Sequence, residues 1–329
     1  MIATAEKNLG RVTAGMLRTV GNALSAGGRN GRRVCILSYH RILEAHDPFL
    51  TSEPDVHTFR WQMELLAECF NVLPLHDAVE VMGRGDLPPR AACITFDDGY
   101  RSTHDLALPV LREYRLPATV FVTTGCMRKG NMWNDRIIEA VRRLPGTRLD
   151  MRDAGIGVLS LAGDLARHEA AHRLIEASKY LSPGERDAIT RKIEALGGHA
   201  DSNGLMLTAD MVAAMARQGV EIGGHTVSHP ILTRLDDDAA RTEIETGKKE
   251  LEAITGRPVR LFAYPNGKVG KDYDDRHVRM AREAGFTAAF TTAVGAASRQ
   301  HDRYQLPRSR PWDATPGRFG MRMLSWLAA

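Results

Sequence analysis

The stretch Ala91-Ala92-Cys93-Ile94-Thr95-Phe96-Asp97-Asp98-Gly99-Tyr100 decides the reading of this chain. Its first six residues make a short, nearly unbroken apolar run, the pattern of a strand covered on both faces. The run stops on two adjacent carboxylates and a glycine. Strands buried on both faces belong to parallel sheets flanked by helices, and there the carboxyl ends of the strands form the functional face. Two carboxylates at such a place are costly to desolvate unless something stabilises their charge. A metal ion would do so, with one Asp as ligand and its neighbour free as a base. A plain Asp-Asp-Gly turn is the competing reading, and the stretch alone does not separate the two.

Working outward, the runs Val34–Tyr39, 118–123, 220–223, 259–263 and 287–292 read as further buried strands. Helical spacing fills the intervals: Phe59, Met63, Leu66 and Phe70; then Leu106, Val110, Leu111 and Tyr114; then Ile244, Leu251 and Ile254. Six or seven strands alternating with helices predict an α/β fold, a parallel barrel that need not be complete. Residues 127–207 break the rhythm, with several helical pieces and no clear strand. A connection this long is rarely structureless, so it is expected to be a helical insertion after the third strand, shaping access to the active face. Trp133 near its start is a candidate for stacking on a sugar ring, although core packing is the commoner fate of a tryptophan.

Bulk properties narrow the function classes. The chain has 329 residues, 43% hydrophobic and 26% charged, with a formal net charge of +4 spread along its length. That charge is too small and too dispersed for a nucleic-acid partner, and no apolar run is long enough to span a membrane. Cys35, Cys69, Cys93 and Cys126 show no metal-ligand spacing and read as small buried hydrophobes. In residues 1–26, Leu9, Val12, Met16, Val20 and Leu24 recur at helical spacing with Lys7, Arg11 and Arg18 on other faces. This predicts an N-terminal amphipathic helix, packed on the body or resting on a membrane surface. The glycines of 27–31 then form a linker, giving units 1–30 and 31–329. No signal peptide is visible, so the expected location is cytoplasmic or peripheral to a membrane.

Two further motifs carry chemistry. Gly223-Gly224-His225-Thr226-Val227-Ser228-His229-Pro230 follows another strand run. Its histidines at i and i+4 are expected on one helical face, within reach of a single metal. No glutamate sits between them, so a base must come from elsewhere, and Asp97 answers that need. Arg260-Leu261-Phe262-Ala263-Tyr264-Pro265-Asn266-Gly267 reads as a strand ending in a turn that can aim a backbone N–H at a developing oxyanion.

Taken in order and spacing, Thr-Phe-Asp-Asp-Gly, His-Thr-x-x-His-Pro and Tyr-Pro-Asn-Gly resemble the polysaccharide deacetylases (carbohydrate esterase family 4, the NodB-homology domain) over roughly residues 33–310. The resemblance implies a distorted (β/α)7 barrel and a divalent cation, commonly zinc, with cobalt and nickel as alternatives. It places the metal on Asp98, His225 and His229, and the base on Asp97. It also implies a hydrolase that removes acetyl groups, N-acetyl foremost, from a polysaccharide, oligosaccharide or glycolipid. In many members an arginine in the third motif tethers the base, whereas the matching position here is Ala263. Arg308, in a Leu-Pro-Arg context, is the substitute candidate at the catalytic face, with Arg310 the runner-up. The late Leu-x-x-His motif that supplies a general acid is absent downstream, but Leu37-Ser38-Tyr39-His40 has that pattern at the front of the chain. Members similar to the poly-N-acetylglucosamine deacetylases begin with such a Tyr-His strand, which points to His40 as the acid; His301 is a distant alternative. Two competing readings stay open: an amidohydrolase of a non-sugar amide using the same metal, and a barrel that binds glycan without turning it over.

Overall fold

The computed structural model describes residues 15–22, 31–197 and 204–328. Its main sheet is entirely parallel: β1 (Val34–Tyr39) pairs with β3 (Ala91–Phe96) over six residues, and the order continues through β4 (Thr119–Val122), β7 (Glu221–Gly224), β8 (Leu261–Ala263) and β9 (Ala288–Phe290). A two-residue strand, β2 (Asn71–Val72), lies beside the start of β3. The expected strands are thus all present, several of them shorter than their apolar runs.

The curled sheet closes through residues 306–309, which form isolated bridges to both edges. The Leu306 N–H donates to Ala289 O (3.0 Å), and the Ser309 N–H donates to Ile36 O (2.9 Å). The gap between β9 and β1 is therefore spanned by a segment too irregular to count as a strand. This is an α/β barrel with imperfect closure.

Alternation along the strands sorts their side chains into two layers. Cys35, Leu37, Tyr39, Ile94, Phe96, Val120 and Phe262 face the surrounding helices in the largest core cluster. Ile36, Cys93, Phe121, Leu261, Phe290 and Leu306 fill the inner cluster. Asp97 continues the inner row of Ala91 and Cys93, and Arg308 that of Leu306, so both charges point toward the barrel axis.

Between β4 and β7 lie the helices Trp133–Arg143, Asp164–Lys179 and Pro183–Gly197. They share a separate core that includes Ile137, Val141, Leu174 and Ile193. The expectation of no strand here fails: β5 (Arg148–Met151) and β6 (Gly157–Ser160) form an antiparallel hairpin. Its buried apolar positions are only Leu149, Met151 and Leu159, with Val158 exposed, enough to seat one face on the helices but too few to stand out in the sequence.

Residues 15–22 are helical and dock through Leu17, whose side chain fills the space above Gly320 on the helix Pro316–Ala328. Met16 and Val20, expected on the apolar stripe, are instead 66% and 40% exposed. The reason is local: glycines at 21 and 320 allow close approach only on the Leu17 side. The rest of the expected helix and its linker, including Leu9, Val12, Leu24, Gly27 and Gly28, lies outside the described residues. No helix of the described residues is long and apolar enough to cross a membrane. The four cysteines are buried free thiols, and burial pushes all four up, which suits an inert packing role.

Candidate metal centre and catalytic cleft

The strand β3 ends where its last backbone bond, from Asp97 N–H to Tyr39 O (2.9 Å), is still part of the ladder. The chain then turns sharply: Asp98 has φ +72° and Gly99 φ +85°, left-handed conformations held by the Gly99 N–H bond to Asp97 O. The turn separates the two carboxylates. Asp97 faces inward and Asp98 faces the loop after β7.

That loop is not the helix expected from the i, i+4 spacing of its histidines. Residues 225–229 are irregular, with Thr226 at φ +65° and His229 at φ +56°. The Gly223-Gly224 pair lets β7 run close against the Phe121 and Phe286 rings, so the strand ends before any helical turn can start. Glu243, on the helix Asp237–Thr255, then ties the loop down by accepting from the Val227 N–H (2.9 Å), the Ser228 N–H (2.8 Å) and the Ser228 hydroxyl (2.7 Å). Gly125 presses on the same loop, its N–H bonded to Val227 O at 2.7 Å. A Cβ at Gly125 would lie 2.6 Å from that oxygen.

The outcome is convergence. His225 Nε2 and His229 Nε2 each lie 3.3 Å from Asp98 Oδ1, and one ligand atom from each of the three residues falls within 4.8 Å of the others. His225 Nδ1 bonds Ala263 O at 2.7 Å, which fixes that nitrogen as the donor and turns Nε2 toward Asp98. Burial pushes His229 down to about 4, favouring the neutral ring that ligation requires. Burial alone would raise Asp98, but the charges of His229 and His225 more than offset it and leave the carboxyl well below the ordinary range. Asp98 Oδ1 is buried without a conventional hydrogen-bond partner. An orphaned carboxylate oxygen facing two imidazole nitrogens is what a divalent cation of zinc type would satisfy. The donor set therefore fits the cation that the sequence calls for.

Arg308 settles beside Asp97. Both are nearly sealed from solvent, and the guanidinium meets the carboxylate fork to fork, Nη1 to Oδ1 and Nη2 to Oδ2, each at 2.7 Å. Arg308 also donates from Nη1 to Thr95 Oγ1 and from Nε to Thr291 O, both at 3.2 Å. Burial pushes the Asp97 carboxyl up, while Arg308 and then His225 pull it down further, so the group is a carboxylate at neutral pH. Arg308 is too deeply buried to touch substrate, which corrects its expected place among the oxyanion or substrate-binding groups. It reaches Asp97 from the closing segment.

The other expected residues distribute around one cleft of about 390 Å³. His40, Asp97, Asp98, His225, His229, Asn266, Trp133 and Arg310 all line it. Asn266 has φ +60°, the strained turn anticipated after β8. Arg310, the runner-up for the tether, instead donates to Glu53 (2.6 Å) and contacts His40 Nδ1 at 3.3 Å. His301 bonds Ser298 and stays away from the cleft. Trp133 is half-buried, with the Arg186 guanidinium 4.9 Å from its ring centre. Sequence reasoning missed Glu53, Asp135 and Glu243. Each is an isolated acid in a helix or loop, with no local pattern to mark it.

A family model described as polysaccharide deacetylase matches residues 84–160 and 189–289, together more than half of the chain. Among curated proteins, the chain is 30% identical over 114 residues to a putative polysaccharide deacetylase, YxkH, of Bacillus subtilis, a match covering 35% of this chain and 38% of that protein. It is 27% identical over 111 residues to a poly-beta-1,6-N-acetyl-D-glucosamine N-deacetylase of Staphylococcus aureus, covering 30% of this chain and again 38% of that protein. The matches thus span well under half of those relatives. In fold, the chain is similar to the deacetylase PplD of Streptococcus pyogenes, solved with acetate, at TM-score 0.60 and 20% identity over 90% of this chain and 98% of that one. It is also similar to IcaB of Ammonifex degensii, at TM-score 0.57 and 19% identity over 91% and 99%. The order of the motifs, the barrel and the family match agree: this chain belongs to the polysaccharide deacetylase family.

Proposed function

We propose that this protein is a metal-dependent hydrolase that removes acetyl groups, N-acetyl foremost, from a glycan. The observation that carries the reading is the meeting, in one cleft, of the Asp98, His225 and His229 ligand set with a carboxylate beside it that Arg308 holds ionised. Asp98, His225 and His229 would hold a divalent cation, which would supply Lewis acidity at the site.

The protein's own groups do the rest. Asp97 accepts a proton from the attacking water, and its fixed pairing with Arg308 aims the carboxylate without reorganisation. The backbone N–H of Asn266, on the strained turn facing the cleft, donates to the oxygen that gains charge, worth roughly 3–4 kcal/mol in the transition state. His40 delivers a proton to the departing amine. Trp133 offers a face for a sugar ring.

Acetate release from N-acetylglucosamine oligomers, against release from small non-sugar amides, tests the reading. Turnover of the oligomers is expected, and turnover confined to non-sugar amides would reassign the substrate class. His40→Ala tests the acid: amide turnover should fall by roughly 10²–10⁴-fold, and ester turnover far less, because an alkoxide leaves more readily than an amide anion. Near-wild-type amide turnover in that variant would remove His40 from the mechanism.

A further inference from the structure

The cleft carries more positive charge than its catalytic groups need. Five cationic side chains line it: Arg41, Lys179, Arg186, Lys268 and Arg310. Two are already matched, Arg41 by Asp135 (3.3 Å) and Arg310 by Glu53 (2.6 Å). The other three form no ion pair among the described residues. Asp187, next to Arg186 in sequence, is taken by Arg136 (3.2 Å) and Arg191 (2.5 Å), which leaves the Arg186 guanidinium to Trp133 alone. Asp272, behind Lys268, is fully buried and bonded to the Tyr180 hydroxyl and the Lys268 backbone N–H, both at 3.0 Å. Glu176 is the one lining carboxylate on that side without a bonded partner among the described residues.

These three cations come from three different segments: the helix Asp164–Lys179, the helix Pro183–Gly197 and the turn after β8. Lys179 is pushed down by burial and by the nearby charges of Lys268 and Lys271, against the pull of Asp272 and Glu176. Arg186 and His229 line the same cleft. Three cations lining one cleft without an ion pair among the described residues give it an attraction for an anion.

We propose that the cleft takes an acetylated glycan bearing a phosphoryl group close to the acetamido sugar, with Arg186, Lys179 and Lys268 receiving the anion. A phosphoryl group offers several oxygens to cations converging from different directions, and a guanidinium matches two of them at once. Trp133, beneath Arg186, places the sugar next to the anion subsite. The inference rests on the deacetylase reading above and narrows its substrate.

The test uses the full chain and three acetylated disaccharides of N-acetylglucosamine: one neutral, one carrying a phosphate and one carrying a uronate. Acetate release gives kcat/KM, and calorimetry on chelator-treated protein gives Kd independently of turnover. The phosphorylated sugar should be preferred by about tenfold or more over the neutral one, with the preference shrinking as salt rises. Arg186→Gln should cut that preference by about tenfold, and Lys179→Gln and Lys268→Gln by several-fold each, while Arg186→Lys restores part of it. Lys268 sits on an exposed turn, so its variant reports even where Arg186→Gln unsettles the Trp133 contact. Lys249→Gln, a charge removed from an exposed helix face, should leave the preference unchanged. Equal affinity for neutral and phosphorylated sugars, or a preference insensitive to all three substitutions, overturns the inference. A uronate taken as readily as a phosphate overturns its phosphoryl assignment. Acetate release without any preference sinks this inference and leaves the deacetylase standing. A preference in Kd with no acetate from any sugar sinks the deacetylase and leaves the anion site.

Discussion

Replacing Arg308 by methionine isolates the buried ion pair on which the proposed catalytic base, Asp97, depends. In the native protein the pair is sealed, with two 2.7 Å bonds joining guanidinium and carboxylate. Methionine keeps most of the volume and leaves Asp97 with the Ser38 hydroxyl at 3.4 Å as its remaining side-chain donor. An uncompensated buried carboxylate costs about 3–5 kcal/mol. At the roughly 2 °C per kcal/mol expected of a chain this long, the unfolding midpoint should fall by about 6–10 °C. The native carboxyl titrates below the ordinary range, so the pair's stabilisation is present at neutral pH and is lost only as the pH falls through that depressed value. The deficit is therefore read at pH 7, by denaturant or thermal unfolding with chelator present so that no bound cation contributes. The double variant Asp97→Asn/Arg308→Met removes both partners and should recover about 2 kcal/mol or more of the summed single losses. A single Arg308→Met variant within about 1 kcal/mol of wild type, or strict additivity in the double, would refute the claim that the two charges depend on each other.

Other outcomes follow from the same site. Chelation should abolish acetate release and zinc or cobalt should restore it, whereas Asp98→Ala should weaken zinc binding by calorimetry by at least about tenfold, since ligand loss exceeds the effect of losing an outer partner. Gly125→Ala must displace Val227 O and with it the His229 loop, so metal affinity should drop by roughly 10–100-fold even though no ligand is touched; unchanged zinc affinity would refute the steric account. Asp135 is pushed up to about 6, first by its burial, against the pull of Arg41 and its hydrogen bonds. Its contribution to stability is full below the ordinary carboxyl range and is lost as pH rises through about 6. The difference in unfolding free energy between wild type and Asp135→Asn should accordingly decrease from pH 4 to pH 7, and a flat difference would contradict it.

The strands were legible because each is buried on both faces and so reads as an apolar run; β1 and β3 match their runs residue for residue. The candidate ligand set could be named because its members follow strands in short motifs. Geometry within those motifs was not legible. The spacing of His225 and His229 suggested a helix, but the approach of the histidines is set by two left-handed residues and by Glu243, fifteen or so positions downstream on another element. In the N-terminal helix the described stripe residues Met16 and Val20 stay exposed, because glycines at 21 and 320, rather than the apolar spacing, choose the docking face. The β5–β6 hairpin was hidden by its length: four residues per strand and three apolar contacts leave little periodicity to detect. Arg308 could be proposed from its Leu-Pro-Arg setting, but its burial and fork geometry depend on the closing segment, a contact between parts of the chain that carries no local signal.

That closing segment has a consequence for the order in which the molecule becomes competent. During synthesis from the N-terminus, Asp98, His225 and His229 have all emerged once about the first seven-tenths of the chain is made. Arg308 arrives much later, 211 residues after the carboxylate it holds, and only then can β9 be joined to β1. Such long-range closure is a slow event in folding. On the deacetylase reading, the three candidate ligands and the groups that position them, Glu243 and Ala263, emerge before the tether of the base does, and hydrolysis would wait for the last stave of the barrel.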